Sequence, residues 1–100
     1  MSTVGLSTKK RVVVLISGSG SNLQALIDGV QAGELPVDIV AVISNRPDVL
    51  GLERATKANI PTELVDHKAF EDRERFDRAL MKNIDSYNPD LIVLAGFMRI

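Results

Sequence analysis

Cysteine is absent from the 100-residue chain, and histidine occurs once. The first absence excludes a disulfide framework and a thiolate metal site; the lone His67 excludes a histidine cluster, so no metal is expected. Excess charge is also lacking, since 12 basic against 13 acidic residues leave a formal net charge of -1. Acids and bases are mixed along the chain, which gives no broad electrostatic footprint for nucleic acid or an anionic membrane and points to small-molecule partners. Long apolar runs are missing as well. Lys9-Lys10-Arg11 precedes the run Val12 to Ile16, but Ser17 and Gly18 interrupt it far short of a secretory core or a membrane span. The expectation is a cytoplasmic protein with a loose, polar N-terminal extension, Met1 to about Lys10. What is present is ordinary for a folded protein: 45% hydrophobic and 25% charged residues. That suits one small unit, residues 11–100, burying about two-thirds of its unfolded surface.

The most informative stretch is Val12-Val13-Val14-Leu15-Ile16-Ser17-Gly18-Ser19-Gly20-Ser21-Asn22-Leu23-Gln24, an apolar strand feeding straight into a glycine-rich turn that opens a helix. Gly18 and Gly20 let the backbone bend tightly with no Cβ in the way, and the first N–H groups of the helix lack intrahelical acceptors. Together with the positive end of the helix dipole, the turn favours a phosphorylated ligand with no lysine inside it. Ser21 and Gln24 have the S-x-x-Q spacing of a capping box, so a cap is the structural alternative for Ser21. Asn22 offers donors and an acceptor within reach of a sugar hydroxyl or an amide.

Further on, Leu23, Leu26, Ile27 and Val30 fall on one helical face, and Gly33 is placed to end that helix. Val37 to Ile43 reads as a second buried strand closed by the turn Ser44-Asn45-Arg46-Pro47. A short helix from Gly51 to about Asn59 and a brief extended stretch, Thr62 to Val65, follow. From Asp72 onward Phe76, Leu80 and Ile84 define an amphipathic helix with Glu74 and Arg78 as an i, i+4 pair. Pro89 stops it. Leu91 to Ala95, lacking polar alternation, reads as a fourth strand buried on both faces. The order β-α-β-α-β-α-β predicts an α/β fold with a parallel sheet covered on both sides. A 3-2-1-4 strand order would make Ser17 to Asn22 and Gly96 to Ile100 neighbours beyond the carboxyl ends of the strands, where ligands bind in such sheets.

A dinucleotide site is the alternative reading of Gly18-Ser19-Gly20, with Arg46 near a 2′-phosphate of NADP. It fails because the third glycine position is Leu23 and no acidic residue ends the second strand. In Gly96-Phe97-Met98-Arg99-Ile100, a glycine permitting close backbone approach, apolar side chains and a cation suit a flat aromatic ligand, although Met98 and Ile100 fit a plain core equally. His67, between Asp66 and Lys68, reads as a surface residue. Glu71, Asp72 and Glu74, interleaved with Arg73 and Arg75, read as a solvated helix start.

Taken together, Ser17 to Gln24, Ser44-Asn45-Arg46, Gly51-Leu52-Glu53-Arg54-Ala55 and Leu94 to Ile100 resemble phosphoribosylglycinamide formyltransferases, the folate-dependent enzymes of purine synthesis. The resemblance runs from about Arg11 to Ile100. It implies a Rossmann-like open sheet, with Gly20, Ser21 and Asn22 holding the phosphoribosyl substrate and Arg73, Met98, Arg99 and Ile100 contacting 10-formyltetrahydrofolate, the formyl donor. It further implies that the catalytic Asn, His and Asp belong downstream of Ile100, so that none lies in this chain. The expectation is an N-terminal part of the enzyme that the missing half would complete; the exposed fourth-strand edge of this part would otherwise favour self-association.

Overall fold

The computed structural model describes residues 9–98. β-branched runs form strands and 3.6-periodic stretches form helices in the order β1 (Lys10–Ile16), α1 (Ser21–Gln31), β2 (Val37–Ser44), α2 (Leu50–Lys57), β3 (Thr62–Leu64), α3 (Arg73–Asp85) and β4 (Leu91–Leu94), with a 3-10 turn at His67–Ala69. β1 begins two residues before the apolar run that starts at Val12, because Lys10 pairs with Val37 in the ladder. The strands are all parallel and ordered β3-β2-β1-β4, the expected 3-2-1-4 arrangement, and the direction of winding changes between β1 and β4.

Alternation along β1 divides the core in two. Val12, Val14 and Ile16 face one side and pack with Leu23, Ile27 and Ala55 of α1 and α2. Val13 and Leu15 face the other and pack with Phe76, Leu80 and Ile84 of α3. Burying each of these larger side chains contributes about 1.5–3 kcal/mol before conformational entropy is subtracted. The register slips between Val12 and Val13, where the partner steps from Ile39 to Ala41. The parallel pairing puts the carboxyl ends of β1 and β2 at one crest, above strands buried between α1 and α2 on one face and α3 on the other.

One expectation fails. β4 is not buried on both faces: Leu91, Ile92 and Leu94 are 51%, 44% and 64% exposed. Its apolar run has the composition of a central strand, but β4 pairs with β1 along one edge only. α3 packs over β1 and β2, leaving the outer flank of β4 uncovered among the described residues.

Candidate functional site

The loop after β1 turns sharply at Gly20, whose φ of 75° and ψ of 25° are left-handed and suit a residue without Cβ. Gly20 is the N-cap of α1, and no side chain caps the helix. The capping box read from Ser21 and Gln24 is therefore not formed. The left-handed turn makes Ser21 the first helical residue, and the Gln24 carboxamide turns away, donating to Asp28 Oδ1 at 2.9 Å and accepting from Arg54 at 3.3 Å. The first turn of α1 contains no acidic residue, so nothing there offsets the positive end of its dipole. Ser21 and Asn22 are exposed beside the buried Gly20. This mouth presents backbone N–H groups, a hydroxyl and a carboxamide to solvent, a set suited to phosphate and sugar oxygens.

The loop's shape is fixed from α2, which the sequence alone does not assign to the site. Gly51 N–H donates to Gly18 C=O at 3.1 Å, and Arg54 Nε donates to Ser19 C=O at 2.8 Å. A Cβ on Gly20 would lie 2.6 Å from Gly51 Cα, and one on Gly51 would lie 2.4 Å from Ile16 Cδ1 and 2.9 Å from Gly18 O. Gly18, by contrast, has open space where a Cβ would be. The close approach that the sequence suggests for Gly18 and Gly20 together is thus made by Gly20 and Gly51.

The loop after β4 comes to the same crest. Met98 N–H donates to Ser17 Oγ at 2.7 Å, and Met98 C=O accepts from Asn45 Nδ2 at 2.7 Å. Ser17 and Asn45, at the ends of β1 and β2, are 3% and 0% exposed. The Met98 side chain is 61% exposed, so it is not part of the core formed by the described residues. Phe97 is half-buried beside it. Gly96 has a φ of 76° and open space around its absent Cβ, so backbone conformation rather than close approach calls for glycine there.

Arg73 is exposed at the first turn of α3, on a different element from the two mouth loops. The acidic and basic residues around it behave as a solvated helix start: Asp72 Oδ1 accepts from Arg75 N–H at 2.8 Å, and Arg75–Glu71 and Arg78–Glu74 pair at 3.5 and 3.4 Å. Arg99 and Ile100 lie outside the described residues. His67 is half-buried, and its backbone N–H donates to Asn45 C=O at 3.2 Å. Leu23, at the third glycine position of a dinucleotide fingerprint, is fully buried in the core, which counts against that alternative. Among the described residues no group of three or more His, Asp or Glu is placed to hold a metal, and no helix is long and apolar enough to cross a membrane.

Sequence reasoning missed Gly51 and Arg54 as fasteners of the loop after β1 and Ser17 and Asn45 as buried polar links. The available signal was a polar residue ending each central apolar strand, where a core side chain would otherwise be expected.

Comparison with known proteins gives a consistent result. Residues 10–100 match the formyl transferase family. The chain is 53% identical over 89 residues to the phosphoribosylglycinamide formyltransferase of Escherichia coli K12, covering 89% of this chain and 42% of that protein. It is 55% identical over 94 residues to the trifunctional purine biosynthetic protein adenosine-3 of Drosophila melanogaster, covering 92% of this chain and 7% of that protein. The phosphoribosylglycinamide formyltransferase of Coxiella burnetii superposes with a TM-score of 0.89 at 54% identity, over 93% of this chain and 44% of that one. The chain therefore spans less than half the length of each of these three relatives.

Proposed function

The chain belongs to the formyl transferase family, and on that premise we propose that it serves transfer of a formyl group from 10-formyltetrahydrofolate to the amine of 5′-phosphoribosylglycinamide, in purine synthesis. Its part is to bind and orient. Gly20, Ser21 and Asn22 hold the phosphoribosyl substrate, whose phosphate meets the backbone amides of the α1 mouth. Met98, with Arg99, Ile100 and Arg73, meets the folate. The donor supplies an activated formyl carbon, and the residues assigned here hold the amine-bearing substrate and the donor side by side at the crest. No proton transfer is assigned to any of them.

The observation that carries this reading is the uncapped start of α1, with a left-handed Gly20 and no acidic residue in the first turn, beside a loop whose Met98 is held by its backbone while its side chain stays exposed. An exposed, flexible apolar side chain on a fixed backbone suits a flat ring system. The test is ligand protection followed by thermal unfolding. Glycinamide ribonucleotide at one hundred times its dissociation constant should stabilise the chain by about 2.7 kcal/mol, and Asn22→Ala should weaken that response without changing unliganded stability. Equal protection of wild type and Asn22→Ala removes Asn22 from the site; a stronger response to NADP than to the ribonucleotide overturns the reading.

A further inference from the structure

Asn45 is where the loops of the crest meet. Its N–H donates to Ile16 C=O at 3.3 Å and its C=O accepts from His67 N–H at 3.2 Å, which ties the ends of β1 and β3 to β2. Its side chain does the rest: Oδ1 accepts from the Ser17 hydroxyl at 2.7 Å, and Nδ2 donates to Met98 C=O at 2.7 Å. Ser17 Oγ in turn accepts from Met98 N–H at 2.7 Å.

The directions in this circuit are forced. Met98 C=O has only lone pairs, so it must face the amino group of Asn45, which leaves Oδ1 toward Ser17. The Ser17 hydroxyl must then donate to Oδ1, and its free lone pair is what Met98 N–H finds. Two side chains thereby satisfy both polar groups of one peptide residue, as a neighbouring strand would. Both side chains are buried, so leaving either polar group without its partner is costly.

We propose that Ser17 and Asn45 are positioning residues for the donor side of the site: they hold the loop after β4 in register with the phosphate loop, so that donor binding depends on them although neither touches the donor. This rests on the formyltransferase reading for the identity of the ligand. Ser17 directly precedes the phosphate loop in sequence, and the buried Asn45 is screened from solvent. Losing the clamp lowers the fraction of molecules with a competent Met98 loop, and apparent donor affinity falls by that fraction. The phosphate loop has its own fasteners in Gly51 and Arg54 and does not need the clamp.

The test uses Ser17→Ala, Ser17→Thr and Asn45→Asp in the full chain. Asn45→Asp keeps the shape and the acceptor toward Ser17 but sets a carboxylate oxygen against Met98 C=O. Ser17→Thr keeps the hydroxyl. Backbone amide exchange is read at Met98 and at Val14, and 10-formyltetrahydrofolate and glycinamide ribonucleotide are titrated separately. In Ser17→Ala and Asn45→Asp, Met98 should exchange about tenfold faster or more with Val14 unchanged, and donor affinity should fall about tenfold with ribonucleotide affinity within about twofold. Ser17→Thr should restore both. Met98 protection that survives Asn45→Asp, or equal weakening of both ligands, overturns the proposal. If Val14 loosens together with Met98, the residues are general supports of the core and the proposal fails. Should the unaltered chain bind neither ligand, the formyltransferase reading falls, and exchange at Met98 alone decides the clamp.

Discussion

The two loops that form the mouth are held in different ways. The one after β1 is fastened through backbone and close packing: Gly51 N–H on Gly18 C=O, Gly20 against Gly51, and Arg54 on Ser19 C=O. The one after β4 is joined to the crest by two side chains, Ser17 and Asn45. The first is held mainly by backbone contacts, with the Arg54 side chain as its one rotamer-dependent fastener. The second is conditional on a hydrogen-bond circuit. Under the proposed function, the subsite for the phosphate would then be formed before any ligand arrives, and adjustment would fall to the subsite for the larger, flatter donor.

The contrast is most strained at the glycines. Gly20 and Gly96 share a φ near 75°, so placing alanine at either costs about 1–2 kcal/mol for the left-handed conformation. Only at Gly20 does the new Cβ meet backbone, 2.6 Å from Gly51 Cα, adding about 1–3 kcal/mol of overpacking. Gly20→Ala should therefore be the more destabilising of the pair in denaturant unfolding and should also abolish ribonucleotide protection. Equal losses at the two sites would mean that the β1 loop is no more tightly packed than the β4 loop. Next in size is Asn45→Ala, which strands Met98 C=O and the Ser17 hydroxyl; the expected loss is about 1–3 kcal/mol, measured as a shift in midpoint without a change in slope. Ser21→Ala should fall within about 0.5 kcal/mol of wild type, because Ser21 makes no cap bond; a loss near the cap value of about 1 kcal/mol would reinstate the capping box.

The smallest effect lies away from both loops. The Tyr87 hydroxyl donates to Glu63 Oε2 at 2.5 Å. That bond, then burial and the Glu63 charge, raise the Tyr87 pKa above its ordinary 10.0. A raised folded-state value means the contribution is complete below pH 10.0 and is lost as pH climbs through the folded value. Tyr87→Phe should flatten the alkaline end of the stability profile and leave both mouth loops as they were, which pH-dependent unfolding would check.

Much of the fold was legible because the strands are β-branched runs and the helices carry clean apolar faces: Val12 to Ile16, the Leu23–Ile27 face and the Phe76–Leu80–Ile84 face all fell where periodicity put them. The order of connections then left little freedom in the sheet. β4 differs because β1 is its one neighbour among the described residues, whereas its composition reports only what a strand is able to bury. The loop after β1 was legible as strand, glycines and helix start, yet its fastening was not. Gly51 and Arg54 come from another helix, and nothing local in Gly51-Leu52-Glu53-Arg54 announces a contact with Gly18 to Gly20. The capping box failed for a similar reason, since a spacing rule does not anticipate a left-handed residue one position earlier. Ser17 and Asn45 were visible only as polar ends of apolar strands, and their pairing needs the parallel register of β1 with β2, which carries Ile16 to Ser44.

The most direct test of the proposed phosphate subsite is a titration of the full chain with glycinamide ribonucleotide, followed at the backbone amides by NMR. The account predicts saturable shifts that are largest at Ser21 and Asn22, competed by inorganic phosphate, with the amides of α3 unmoved. Binding that leaves those two amides silent, or no binding at millimolar ligand, contradicts it.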